Sequence, residues 1–169
     1  MKRIIFFGGL LMIVSDLGCA APPDENMVKS CLQAQSITSS VTIKLLNTNE
    51  ITQEDDYADG FNASYMFKYR GGDAGYAEGK SDQALIYFGK IYRLSEALSI
   101  GDNHGIKPGE FNPTLAQWSI AKGGRQQYFC VSFNFDGLGR SGTFQNVHGG
   151  YLLNTKTTNL YFVVRDVEQ

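Results

Sequence analysis

Apolar and polar residues alternate along three segments in the last third of the chain, which is the pattern of half-buried β-strands. The first segment carries apolar side chains on one face, at Phe129, Val131, Phe133 and Phe135. Residues 143–153 and 160–167 form the other two segments. Short connections between consecutive strands favour antiparallel pairing, so we predict a three-strand meander. Cys130 lies on the face opposite the phenylalanines.

The same alternation occurs twice in the first half of the chain. Residues 40–47 and 62–70 are predicted strands, and Tyr65 and Tyr69 share one face of the second. The glycine-rich residues 71–75 and the acidic residues 54–60 are predicted loops.

A helical period is found in three other segments. Residues 24–35 favour a helix, and so do residues 112–124, which begin with the cap Asn112 and Pro113 and end at two glycines. Residues 81–98 have apolar side chains at spacings of three and four, which predicts an amphipathic helix. Gly89 in the middle of this segment also fits a β-hairpin that turns there, so both interpretations stay open.

These elements predict an α+β fold with a single domain. We expect an antiparallel β-sheet of about five strands, which ends in the C-terminal three-strand meander, with two or three helices packed on one face. No change in composition divides the chain, and its 169 residues suit one domain.

The N-terminus has the pattern of an export signal. Lys2 and Arg3 precede an uncharged run of 11 residues at 4–14, a length typical of a signal-peptide core and too short to cross a bilayer. Residues 1–20 are therefore predicted to be a signal peptide and residues 21–169 a single exported α+β domain, located in the periplasm or secreted. Cys19 after Gly18 also resembles a bacterial lipoprotein site, although Asp16 departs from that pattern. Cys19 is thus a candidate for lipidation, and a lipid anchor in the outer membrane is the alternative location.

The cysteine count supports export. Of the three cysteines, Cys19 belongs to the leader or the anchor, which leaves Cys31 and Cys130. In an oxidising compartment this pair is predicted to form a disulfide. Two unpaired thiols, one of them catalytic, are the alternative.

Charge argues against nucleic acid as a partner. The formal net charge is −2, and it becomes −3 when Lys2, Arg3 and Asp16 are removed with the leader. Binding to a phosphate backbone requires a basic surface, so we expect no nucleic-acid partner. No later segment is long enough to span a membrane, so none is predicted. The oligomeric state is not indicated by the sequence.

Segments that resemble catalytic or cofactor-binding motifs lack the neighbouring elements or the spacing that such sites require. Residues 137–142 match G-x-G-x-x-G, but a predicted strand follows the glycines where a dinucleotide site requires a helix. His104 and His148 have no metal-ligand spacing, and the segment around Ser141 lacks the G-x-S-x-G spacing of a hydrolase elbow. The sequence therefore predicts no cofactor, no metal site and no catalytic residue.

Acidic and aromatic residues are the best candidates for an interaction surface. The acidic stretch does not fit an EF-hand, because Tyr57 and Met66 would occupy ligand positions. A solvated loop is the default interpretation of this stretch, and an irregular cation site or an acidic patch for a basic partner are the alternatives. Tyrosines suit recognition because one side chain supplies both apolar area and a polar tip. The predicted surface consists of Asp55, Asp56, Asp59, Tyr65 and Tyr69.

Size, export and the lack of a catalytic set favour a non-enzymatic role. We expect an exported bacterial envelope protein that binds another envelope or secreted protein, as inhibitors, immunity factors and assembly accessories do. A small periplasmic hydrolase is one alternative, and convergence of Asp102, His104 or His148 in one cleft would support it. A small-ligand carrier with an aromatic sheet is the other.

Overall fold

A computed structural model describes residues 21–58, 60–109, 116–134 and 147–166. Within these ranges the chain forms one α-helix, one 3-10 turn and eleven strands. The elements are α1 (Glu25–Leu32), β1 (Val41–Leu45), β2 (Thr52–Ala58), β3 (Phe61–Tyr69), β4 (Gly72–Glu78), β5 (Gln83–Tyr87), β6 (Lys90–Arg93), the 3-10 turn (Leu94–Glu96), β7 (Leu98–Ile100), β8 (Gln117–Gly123), β9 (Gln126–Asn134), β10 (Val147–Asn154) and β11 (Leu160–Asp166).

The strands form two sheets. Sheet A has the order β1-β8-β9-β10-β11-β7, and sheet B is a five-strand meander in the order β2-β3-β4-β5-β6. All pairings are antiparallel except that of β7 with β11. The predicted α+β fold with two or three helices on a single sheet is therefore wrong, because the described chain is mostly β-structure with one helix.

Sheet A is the central layer, covered by sheet B on one face and by α1 on the other. Along β9 the phenylalanines Phe129 and Phe133 join the core between the sheets, whereas Cys130 packs under the helix. The antiparallel pairing of β10 with β9 and with β11 confirms the predicted meander, and the alternation along β9 confirms the opposite orientation of Cys130. Both faces of sheet A are thus buried in apolar cores.

Helix α1 is held at its N-cap and in its last turn. The Asp24 carboxylate accepts a hydrogen bond from the Met27 amide at 2.9 Å, as expected for an N-cap. Cys31 in the helix forms a disulfide with Cys130 in β9, with a Cα–Cα separation of 5.8 Å. The predicted pairing is confirmed, and so is the predicted position of the N-terminal helix on the Cys130 face.

The predicted helix at 81–98 is wrong, and the alternative hairpin is correct. Strands β5 and β6 pair around a two-residue turn at Phe88 and Gly89, whose φ angles of 51° and 72° are those of a type I′ turn. Four consecutive residues of β5 are buried. Leu85 and Tyr87 join the core between the sheets, whereas Ala84 and Ile86 pack in a second apolar cluster formed by side chains of sheet B itself. The strand therefore shows no alternation, and the helical spacing of its apolar residues is coincidental.

The predicted helix at 112–124 is also wrong in its described part. Residues 117–123 form β8, in which Trp118 and Ile120 face sheet B while Ala121 faces α1. Asn112 and Pro113, which carried the predicted helix start, lie outside the described residues.

Both predicted loops contain strands. Residues 72–78 form β4 after a tight turn at Arg70 and Gly71, and residues 52–58 form β2. The many glycines and carboxylates concealed these strands, because neither residue type has a high strand propensity.

In the part of the chain that the structure describes, no helix is long and apolar enough to cross a membrane. The predicted signal peptide and Cys19 lie outside that part, so export and lipidation stay predictions.

Candidate functional site

The edge of sheet B that β2 forms is incomplete. Pairing between β2 and β3 begins at Thr52 and Met66, although β3 continues to Tyr69. On its other side β3 stays paired with β4 as far as Tyr69 and Gly72. Residues 67–69 therefore have a strand neighbour on one side only among the described residues.

A cavity of about 520 Å³ lies beside this gap on the outer face of sheet B. We call it the acidic notch. It is lined by Asn47, Glu50, Thr52, Glu54, Met66, Phe67, Lys68 and Asp73. Three of these side chains are carboxylates, and the single lysine forms an ion pair with Asp73. The notch consequently has an excess of negative charge.

Neighbouring titratable groups respond to this charge. Hydrogen bonding and Coulomb attraction to Asp73 raise the pKa of Lys68, and Glu54 contributes to the same effect. Burial raises the pKa of Tyr57, and the carboxylates of Asp73 and Glu54 raise it further. The charges of Glu54 and Asp73 thus act across the notch in the direction that favours a bound cation.

A second cavity, of about 230 Å³, opens on the inner side of the same edge. We call it the aromatic cleft. It is lined by Thr48, Ile51, Tyr65, Phe67, Tyr76, Ala116 and Trp118. The rings of Tyr65 and Tyr76 stack at 4.8 Å between centroids, and Tyr76 stacks on Trp118 at 6.3 Å. None of these lining side chains carries a formal charge at neutral pH.

The alternation of β3 places the two cavities on opposite faces of one strand. Tyr65 and Phe67 point towards sheet A and line the cleft, whereas Met66 and Lys68 point outwards and line the notch. The connection between β1 and β2, residues 46–51, borders both cavities. Ile51 in this connection is 50% exposed, which adds an apolar surface between them.

The pKa of Tyr76 reports how far the aromatic cleft excludes water. Burial, with smaller contributions from Glu78 and Tyr65, raises the pKa of Tyr76 from 10.0 to about 12. Because the folded-state pKa is the higher one, the folded protein holds this proton more tightly than the unfolded chain. The resulting stabilisation is complete below about pH 10 and is lost as the pH rises to about 12.

We therefore expect the free energy of unfolding to fall less steeply between about pH 10 and pH 12 in Tyr76→Phe than in the wild type. Denaturant titrations at several pH values in this interval would measure the two slopes. Equal slopes would show that Tyr76 ionises as easily in the fold as in the unfolded chain.

The residues of the predicted interaction surface do not form one group. Asp55 and Asp56 are exposed on β2, and Tyr65 is half-buried in the aromatic cleft. Tyr69 is only 7% exposed and packs in the core between the sheets, so it offers little contact area. Asp59 lies outside the described residues.

The histidines occupy another part of the molecule. His148 lines a cavity of about 340 Å³ between α1 and the end of β11, together with Arg165 and Asp166. His104 Nε2 lies 3.5 Å from Asp166 Oδ1, and the Asp102 carboxylate accepts a hydrogen bond from the His104 amide. His104 and His148 thus both lie near Asp166. The described lining offers neither a hydroxyl nor a thiol as nucleophile, and no three metal-ligating side chains cluster in the described ranges.

Sequence patterns missed most residues of the two cavities. Trp118 lies within the predicted helix at 112–124, and no predicted element contains Tyr76. Alternation of Ala74, Tyr76 and Glu78 on one face of β4 was the available signal, but the intervening small residues weaken it. Glu50 and Asp73 carry no local signal, because only the pairing of distant strands brings them together.

Comparisons of the chain with protein-family models, with curated proteins and with solved structures found no match.

Proposed function

We propose that this protein is an exported bacterial envelope protein that acts as a non-enzymatic protein-binding module. Its partner is another envelope or secreted protein, which it binds through a basic segment at the acidic notch. The observation that carries this proposal is the cavity of about 520 Å³ at an incomplete sheet edge, lined by three carboxylates and one lysine that is already paired.

Electrostatic complementarity supports a basic partner. Exposed charges of one sign steer the opposite charge towards a site and disfavour partners of like charge. The carboxylates of Asp55 and Asp56 extend the negative surface along β2 beyond the notch. Strand edges and exposed apolar groups such as Ile51 supply the contacts that charge alone does not.

A site-specific photo-crosslinker at Thr52, an exposed residue of β2 that lines the acidic notch, tests the proposal in cells of the source organism. We expect one protein to be captured at Thr52, with the crosslinked peptide rich in lysine and arginine. The same crosslinker at Glu96, exposed after β6 on the opposite edge of sheet B, is the positional control.

Removing notch charge should reduce this capture. Glu50→Gln with Glu54→Gln is expected to weaken it about 2- to 10-fold, since each exposed ion pair contributes little on its own. Glu96→Gln with Asp166→Asn removes the same charge elsewhere and should leave capture unchanged. Capture that is equal at Thr52 and Glu96, or crosslinked peptides without basic residues, would refute the proposal.

A further inference from the structure

We infer that the partner segment binds as an added β-strand along the open part of β3, with alternating side chains, basic towards the acidic notch and apolar into the aromatic cleft. This inference rests on the proposed function and specifies the class of segment that the site recognises.

An unoccupied strand position lies beside the end of β3, on its β2 side. Beyond the Thr52–Met66 pair, β3 extends for three further residues that no described strand covers on the β2 side. Unpaired backbone groups at a sheet edge form a template for another strand, and many proteins bind extended peptides in this way.

The irregular part of β2 does not obstruct this position. The register shift between β2 and β3 lies between Asp55 and Ala58, and Asp56 has a φ of 52° there. Both the shift and Asp56 lie towards the turn into β3, whereas the open part of β3 lies beyond Thr52 in the opposite direction. Bulges protect an edge only where they distort it, so the regular pairs near Thr52 leave the neighbouring edge available.

The alternation of side chains along a strand then determines the sequence pattern of the bound segment. Side chains of an added strand point alternately to the two faces of sheet B. One set meets the notch, where Glu54 and Asp73 lie, and the other set meets the cleft beside Phe67. A segment with lysine or arginine at every second position and apolar residues between them satisfies both faces.

Volume and chemistry restrict what enters the cleft. At about 230 Å³ the cleft is smaller than the roughly 300–1,000 Å³ of sites that hold drug-sized ligands. It suits one side chain, and its neutral aromatic walls favour an apolar or aromatic one. A lysine there would lose its hydration without gaining a counter-charge, which is unfavourable.

Two octapeptides of identical composition test the inference on the mature chain. In one, lysine alternates with valine and a central phenylalanine replaces one valine, and in the other the same residues are arranged in a basic block and an apolar block. We expect the alternating peptide to bind about tenfold more tightly, the effect of one well-buried anchor residue. Neither contains tryptophan, so fluorescence reports Trp118 alone, the single tryptophan of the chain. Its emission should shift with the alternating peptide only.

Cleft variants provide the matched controls. Ala116→Phe fills the cleft and should abolish the advantage of the alternating peptide. Ile51→Lys places a charge at the cleft mouth on a half-exposed side chain outside the core, and it should do the same without affecting folding.

The outcomes separate the inference from the proposed function. If both peptides bind equally and both lose affinity in Glu50→Gln with Glu54→Gln, the notch binds basic segments but the added strand is refuted. If neither peptide binds, the inference and the basic-segment proposal both fail.

Discussion

Replacing both disulfide cysteines, Cys31→Ala with Cys130→Ala, is expected to lower the free energy of unfolding by about 2–5 kcal/mol. The bond joins residues 99 positions apart, so breaking it releases a large loop in the unfolded chain. For a loop of this size the chain-entropy model gives about 4–5 kcal/mol. Alanine avoids placing a new polar group at two positions that are fully buried. Denaturant titration of the mature chain measures the loss.

Hydrogen exchange shows which part of the protein loses stability when the disulfide is removed. Helix α1 has only eight residues, too few to be stable alone, but Met27, Val28 and Leu32 are buried against sheet A. We therefore expect α1 to stay docked in the variant, with the protection of its amides reduced only as much as that of β9. Faster exchange confined to α1 would show instead that the disulfide holds the helix in place. An unchanged denaturation midpoint would show that the bond adds no stability.

Local sequence patterns predict a strand well when only one of its faces is buried, or when its two faces carry different types of residue. Strand β9 was predicted because its phenylalanines and its cysteine side face two separate cores. At β5 the sequence favours a helix and leaves the hairpin as the alternative, because four consecutive residues are buried and the alternation is lost. A fully buried strand and a buried helix have the same composition over so short a segment.

The candidate site depends on relations between segments, which no local pattern contains. The acidic stretch was recognised, but the notch exists because β2 begins to pair at Met66 while β3 continues to Tyr69. The aromatic cleft likewise requires Trp118 of sheet A to meet Tyr76 of sheet B. The sequence therefore indicated the chemistry of the surface, its carboxylates and tyrosines, and only the strand register shows which of them act together.

A single methyl group at Gly75 should be the most disruptive small change in sheet B. Gly75 lies in β4 between Met66 of β3 and Ile86 of β5. A Cβ atom built there would lie 2.0 Å from the backbone carbonyl oxygen of Tyr65, and the φ of +155° disfavours any other residue. A backbone oxygen within a sheet cannot turn aside as a side chain would, so β3 and β4 must separate locally.

We expect Gly75→Ala to cost about 3 kcal/mol or more in the free energy of unfolding. Gly124→Ala is the matched control, because Gly124 also has a positive φ, +54°, but open space around its Cβ position. Its cost should be about 1–2 kcal/mol, that of the left-handed conformation alone. Denaturant titrations of both variants measure the difference, and equal costs would show that the sheet accommodates the methyl group.

Since the clash is with Tyr65 itself, any folded Gly75→Ala protein should also show an altered Trp118 emission. The Tyr65 ring stacks on Tyr76, which in turn stacks on Trp118, so displacing one end of this series changes the environment of the other.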